Sequence, residues 1–226
     1  MVRASVIVPT FREAENIGRL IEGVFSVFPE AELIVVDDDS PDGTARIAEG
    51  YTSRYDMKVL CRKGERGLAS AVIAGFKLAS NDIIGVIDAD FSHPLESIPE
   101  LVRKVEEGCD LVVGSRYTRG GRIENWPLLR RLTSRGAKLL ARPLTSVKDP
   151  VSGFFFLRKK VLEGVSLNPT GYKIGLEVIV KGNYRKVAEV PITFTDRKVG
   201  KSKLSLREYR NYLIHLLRLY TYKLGF

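Results

Sequence analysis

The sequence predicts an α/β fold, a mostly parallel central sheet with helices on both faces, from three observations. Short apolar runs alternate with amphipathic segments at helical spacing through the first half of the chain. The runs are continuously apolar, as strands covered on both faces must be. Three of them end in polar or acidic groups, and an open parallel sheet gathers its ligands at that rim.

The elements follow in order. Residues 3–9, RASVIVP, read as a strand, and 13–28 as a helix with Ile17, Leu20, Ile21, Val24 and Phe28 on one face. ELIVVDD (32–38) is a second strand, and SPDGT opens a helix with Ser40 or Asp42 as its cap. MKVLC (57–61) is a short strand and 67–79 a helix. DIIGVID (82–88) is the most apolar strand. Residues 94–107 then form a helix around Ile98, Leu101, Val102 and Val105, and CDLVVGS (109–115) is the fifth strand. The second half is less regular. WPLLRRLTSRGAKLLAR (126–142) reads as a basic helix, VSGFFFL (151–157) as a strand or core segment, and KIGLEVIVKG (173–182) fits either helix or strand. KVAEVPITFTD (186–196) reads as a strand, with Pro191 pointing to a sheet edge. Residues 196–204 read as a loop and 205–224 as a final helix. Neither repeat nor linker divides the chain, so 1–204 is read as one domain, followed by an amphipathic helical segment, 205–226.

The 226 residues, 44% of them hydrophobic, suffice for one sizeable core. No apolar run approaches the ~18 residues of a membrane span, and the first residues read as a strand rather than a secretory leader. Cys61 and Cys109 match no metal or redox spacing and read as reduced thiols of a cytosolic protein. Charge is placed unevenly. Residues 116–148 carry +8 and residues 197–226 carry +7 of a total of +9, leaving −6 for the rest. Two basic zones on an acidic body serve phosphates, nucleic acid or an anionic membrane. Arg119, Arg135 and Lys138 read as part of a solvated helix face.

The acids carry the chemistry. VIDADFSHP puts Asp88 and Asp90 one residue apart at a strand end, where both should face one spot. An isolated Asp-x-Asp is as readily a turn acid; the position at the strand end is what singles this pair out. Crowded carboxylates repel one another. A hard divalent ion such as Mg²⁺ or Mn²⁺, held by one or two carboxylates and by substrate phosphates, resolves the repulsion. Of Asp37, Asp38 and Asp39, one can accept hydrogen bonds from a ribose or base, while the others start the turn. His93 either ligates the metal or fixes the strand end as a His–Pro turn.

VIVPTFREAEN, VVDDDSPDGT, GLASAVIAGF, IDADFSHP, GSRYTRGG with ENWPLLRRLTSRGA, DPVSGFFFLRK and EVPITFTDRKVGKSKL occur in that order. Together they resemble the dolichyl-phosphate mannose synthases, family-2 glycosyltransferases with the GT-A nucleotide-sugar fold, over essentially residues 3–210. The resemblance implies transfer of mannose from GDP-mannose to a polyprenyl (dolichyl) phosphate, with inversion and with Mg²⁺ or Mn²⁺ as cofactor. It places Pro9, Phe11, Glu13, Val36 and Asp38 around the guanosine. It places Asp88, Ala89 and Asp90 at the diphosphate, and Asp88, Asp90 and Ser92 at the metal. Arg116, Arg130, Arg197 and Lys203 fall on phosphate-binding positions, with Asp90, Arg116 and Arg130 the catalytic set. Ser92 departs from the Gln common in relatives; a hydroxyl is the shorter and poorer metal ligand, so contact through a water is expected.

The chemistry of the residues agrees with that reading. A sugar hydroxyl needs a general base, for which Glu177 or Asp149 would be the candidate; a lipid phosphate is already an anion. What the phosphate needs is cations against the donor diphosphate, since two unit charges about 4 Å apart interact by ~4 kcal/mol at an effective dielectric of about 20. Arginine forks suit that task. Leu206, Tyr209, Leu213, Leu216, Leu217, Tyr220 and Leu224 form an apolar stripe beside Arg207, Arg210, Arg218 and Lys223, which either packs on the core or lies on an anionic membrane surface. His215 on that helix reads as structural or interfacial. The expected place is peripheral, on the cytoplasmic membrane face, with room for a small membrane subunit. Two rivals share the fold: a dolichyl-phosphate glucosyltransferase using UDP-glucose, and a polysaccharide or glycolipid transferase with an alcohol acceptor. A nucleic-acid module is disfavoured because aromatics are scarce in the basic zones.

Overall fold

The computed structural model describes residues 2–195 and 206–225. Seven strands form one sheet in the order β3-β2-β1-β4-β7-β5-β8. Strands β1 (Ala4–Thr10), β2 (Ala31–Asp37), β3 (Met57–Cys61) and β4 (Ile83–Val86) are mutually parallel. Strand β7 (Phe155–Arg158) runs antiparallel to both its neighbours, β4 and β5 (Leu111–Ser115). Strand β8 (Val187–Pro191) closes the sheet parallel to β5, and Pro191 thus lies on an edge strand as expected.

Two apolar layers sandwich the sheet. On one face α1 (Ala14–Val27), α2 (Thr44–Glu49) and α4 (Ile98–Glu106) pack on Val6, Val8, Leu33, Val35 and Phe156. On the other, α3 (Leu68–Leu78) and α6 (Ile174–Lys181) pack on Ile7, Ile34, Val36 and Phe155. The alternation along each strand divides its apolar side chains between the layers. Phe154, Phe155 and Phe156 are all fully buried, each stabilising by about 1.5–3 kcal/mol. Gly85 of β4 lies against the Phe156 ring, which any β-carbon there would overlap.

Where the sequence left helix or strand open, 173–182 is helix. Ile174 and Val178 of α6 face the sheet while Leu176 faces away, into a third cluster with Tyr212, Leu216 and Leu219. Apolar residues on two sides hide a helical period.

Two expectations change. The stretch read as one strand holds two between residues 187 and 195: β8 ends at Pro191, and β9 (Thr193–Thr195) pairs parallel with β6 (Arg122–Glu124) in a separate ribbon. Ile192 donates its N–H to the Ser115 carbonyl and accepts the Arg122 N–H on its own carbonyl, so the chain steps between sheets at the residue after the proline. The strand expected over 82–88 stops at Val86, with consequences for the acid pair.

Helices α5 (Leu128–Ala141) and α7 (Leu206–Lys223) lie outside the sandwich. Tyr212 Oη donates to the Ala137 carbonyl and Tyr220 Oη to that of Leu140, both at 2.6 Å, and Lys223 Nζ reaches the Pro143 and Leu144 carbonyls. The stripe read along the last helix is split. Leu216 faces inward with Tyr212, His215 and Leu219, whereas Leu213, Leu217 and Leu224 are 50%, 65% and 72% exposed. Leu132, Leu139 and Leu140 of α5 are exposed as well. The loop read over 196–204, with Arg197 and Lys203, lies outside the described residues.

Candidate active site

The carboxyl ends of β1 and β2 form the first wall. Pro9 and Val36 are register partners and both are buried. Asp37 starts the turn: it accepts from Thr10 Oγ1 at 2.8 Å and from the backbone and hydroxyl of Ser40 at 2.8 and 2.7 Å. Asp42 takes the N–H groups of Thr44 and Ala14, and so tethers the first turns of α2 and α1 together. Asp38 does something else. One of its oxygens holds Nε and Nη2 of buried Arg62, and the other accepts the Gly67 N–H at 2.7 Å. Phe11 lies under the guanidinium groups of Arg12 and Arg66, at 5.3 and 4.7 Å from its ring centre, and Glu13 accepts from Asn16 Nδ2 at 2.8 Å.

The acid pair forms the floor. Because β4 stops at Val86, Asp88 and Asp90 sit not on a strand but in the turn after it, where Phe91 takes a left-handed φ of 57°. A turn, not strand alternation, sets where their side chains go. Asp90 Oδ1 accepts the Ser92 N–H at 3.1 Å, closing an Asx turn. His93 is buried, stacked on Phe154 at 5.2 Å and set edge-on to Phe194 at 5.2 Å, with Nδ1 3.8 Å from Asp88 Oδ2. Burial, against the pull of Asp88 and Asp90, lowers its pKa and keeps the ring neutral. Of its two readings, the fixed turn fits this packing.

A divalent ion fits the remaining groups. Asp88 and Asp90 are hard oxygen donors, and Ser92 Oγ is buried without a hydrogen-bond partner among the described residues. No group of three or more His, Cys, Asp or Glu there could hold a metal alone. Such a set suits Mg²⁺ or Mn²⁺ completed by substrate phosphates rather than an all-protein cage. Gly153 closes the floor, since a β-carbon there would lie 3.4 Å from Asp88 Oδ2.

The second wall is aromatic and cationic. Arg116 donates Nε and Nη2 to the two oxygens of Asp149, each at 2.7 Å, and its backbone N–H to the same carboxylate at 2.9 Å. Burial would lower the Arg116 pKa, but Asp149 outweighs it and raises it. Trp126 gathers both arginines read from the sequence: Arg116 lies 5.5 Å and Arg130 4.3 Å from its ring. Phe194 links this wall to His93, standing edge-on to Trp126 at 5.3 Å. Gly121 lets the loop fold back, as a β-carbon would meet the Ser115 carbonyl at 2.5 Å.

The two candidate bases are spoken for. Asp149 is wholly buried under Arg116. Glu177 is 1% exposed, facing α7: Oε1 takes Lys181 Nζ at 2.6 Å and the Asn168 N–H at 2.8 Å, and His215 Nε2 stands 3.3 Å from Oε2. His215 is thus structural, bracing α7 against α6. Sequence reading passed over Lys173, whose Nζ donates at 3.2 Å to the carbonyl of Val151, in the loop that carries Asp149 and brings Gly153 against Asp88. A lone lysine opening a segment of undecided structure gave no signal.

A mostly parallel sheet with an acid turn at its rim and a cationic wall opposite defines a nucleotide-sugar transferase. The family model for glycosyl transferase family 2 matches residues 5–165. Dolichol-phosphate mannosyltransferase of Pyrococcus furiosus is 48% identical over 96% of the chain, which spans 64% of that relative's length. The Saccharomyces cerevisiae enzyme of the same name is 39% identical over 99% of the chain and 89% of its own length. Polyprenol monophosphomannose synthase of Mycolicibacterium smegmatis is 36% identical over 90% of the chain and 81% of its own. The chain therefore belongs to glycosyl transferase family 2 and, within it, to the dolichol-phosphate mannosyltransferases; it is a glycosyltransferase. The fold recurs in glucosyl-3-phosphoglycerate synthase of Mycobacterium tuberculosis, solved with Mn²⁺, UDP and phosphoglyceric acid: TM-score 0.69 at 20% identity, covering 96% of this chain and 78% of that one.

Proposed function

We propose that the chain transfers mannose from GDP-mannose to a polyprenyl (dolichyl) phosphate, with inversion, at the cytoplasmic membrane face. The observation that carries this reading is the state of the acids. Asp149 and Glu177, the candidates for deprotonating an alcohol, are both buried and ion-paired. A phosphate acceptor needs neither. The relatives' names support both mannose and the lipid phosphate.

The residues divide the work as follows. Pro9, Phe11, Glu13, Val36 and Asp38 receive the guanosine. The Asp38–Arg62 pair holds the 62–67 segment beside it. Asp88, Ala89 and Asp90 would line the diphosphate, and Asp88 and Asp90, with Ser92 Oγ through a water, would hold Mg²⁺ or Mn²⁺. Once bound, the ion neutralises charge growing on the leaving GDP. Arg116 and Arg130 steady the attacking phosphate, Arg116 from a posture fixed by Asp149. Arg197 and Lys203 complete the phosphate contacts. The protein contributes positioning and charge neutralisation.

The test is product formation with short polyprenyl phosphates, comparing GDP-mannose with UDP-glucose and UDP-GlcNAc, each with and without Mn²⁺. GDP-mannose should be strongly preferred; preference for a uridine donor overturns the assignment. Glu177→Gln should keep turnover within about tenfold, below the ~10²–10⁴ of a lost general base, and a thousandfold fall in folded protein would restore the alcohol acceptor. Its cost should appear in stability. Burial raises the Glu177 pKa, but His215, Lys181 and the Asn168 N–H outweigh it, and the folded value lies below 4.5. The wild type should therefore lose stability as pH falls through and below 4.5, a step the glutamine variant lacks.

Membrane association is read from the outer helices. No helix among the described residues is long and apolar enough to cross a membrane. The exposed leucines of α5 and α7 are flanked by exposed Arg131, Arg135, Arg210 and Arg218, and each such cation contributes about 1 kcal/mol near an anionic surface. Leu213→Ser with Leu217→Ser should spare transfer to a short soluble acceptor and impair transfer to one embedded in vesicles. Equal loss on both, in folded protein, would return this face to the core.

A further inference from the structure

Arg116 cannot by itself make the second wall attractive to an anion. Its Nε and Nη2 both end on Asp149, and Asp149 is wholly buried. Toward an incoming phosphate this pair is close to neutral. Another cation reaches the same place from a different element. Lys173 directly precedes α6, and its Nζ donates to the Val151 carbonyl at 3.2 Å, in the loop that carries Asp149, Ser152 and Gly153. The Tyr172 ring lies beneath it at 4.5 Å. An ammonium has three donors, and Val151 is the single hydrogen-bond acceptor that Nζ has among the described residues.

We propose that Lys173 binds the acceptor phosphate, supplying with Arg130 the positive charge that Asp149 withdraws from Arg116. The inference rests on the phosphate-acceptor reading above.

Its surroundings make a purely structural lysine an expensive choice. Lys173 is half-buried. Burial first, and then the nearby Arg116 and Arg130, push its pKa down to about 8 against the opposing pull of Asp88 and Asp149. Holding one backbone carbonyl does not require a charge in such company. A phosphate between Lys173 and Arg130 would relieve the repulsion and use the remaining donors. Lys173 also feels Asp88, so the donor diphosphate is the competing ligand, and the experiment separates the two.

Lys173→Gln keeps a donor for Val151 and removes the charge; Lys173→Arg restores charge. Each is assayed in the full chain with farnesyl phosphate and GDP-mannose, and thermal melting checks the fold. The glutamine variant should raise KM for farnesyl phosphate at least tenfold and leave KM for GDP-mannose within twofold. The arginine variant should recover most of the loss. An unchanged acceptor KM in folded Lys173→Gln overturns the proposal, as does an equal rise in both KM values or an arginine no better than glutamine. Should the glutamine variant melt early, Lys173→Met is read by the same KM ratio. A wild type that makes no product from farnesyl phosphate would instead refute the acceptor reading itself, and this inference with it.

Discussion

Asp90→Ala is expected to lower turnover by about 10²–10³-fold or more, the scale of removing one electrostatic group aimed at developing charge. Two losses coincide. A hard oxygen donor leaves the metal's set, and the Ser92 N–H loses the Oδ1 acceptor that closes the turn at 3.1 Å. Asp90→Asn separates them, because its amide oxygen can still accept from Ser92 while the charge is gone. The asparagine variant should fold and melt like the wild type yet bind Mn²⁺ weakly by paramagnetic resonance, and excess Mn²⁺ should restore little turnover to either variant. An alanine variant that works fully in chelator would remove the metal from the proposal.

Arg116→Ala should be both unstable and nearly inactive. It strands Asp149, wholly buried, without the guanidinium that holds both its oxygens. Breaking a buried pair from one side costs about 3–5 kcal/mol, a Tm fall of roughly 6–20 °C in a domain of this size. Adding Asp149→Ala removes the stranded charge, so the double variant should regain much of the stability. It should regain no turnover if Arg116 holds the acceptor phosphate as proposed. If turnover returns with stability, Arg116 serves the fold alone. The melting curve and the transfer assay, run on both variants, give the answer.

The first half of the chain was legible because strands β1, β2, β4 and β5 are buried on both faces, while the helices bury one. Val6, Val8 and Ile7, or Ile17, Leu20, Ile21 and Val24, state their geometry in their spacing. The second half obeys other constraints. Phe154, Phe155 and Phe156 announce a buried strand but carry no sign of its direction, which depends on β4 and β5 as partners. Strand β6 is three residues, largely exposed, with no apolar signal at all. Helix α6 is apolar on two sides, and α7 has one stripe for Glu177 and its neighbours and another that meets solvent. In the site, the acid pair and both arginines were readable from motifs. That Asp149 pins Arg116, that Asp38 holds Arg62, and that Lys173 arrives beside them all depend on contacts between segments distant in sequence.

Strand β7 has a bearing on how the chain reaches its fold. Strands β4 and β5 flank it, but they are made first, and until residues 155–158 arrive each presents an unpaired edge. Open apolar edges invite pairing with other chains, and long-range pairing is slow to form. A nascent chain extending to Ser115 already contains β1–β4 and the acid turn, but nothing to place Arg116 on Asp149. Insertion of the triple phenylalanine segment seals both edges in one step and carries the preceding loop, with Asp149 and Gly153, against Asp88. Strands β1–β4 with the acid turn can thus take shape early, and the Arg116–Asp149 wall is assembled beside them only when the single reversed strand pairs with both β4 and β5.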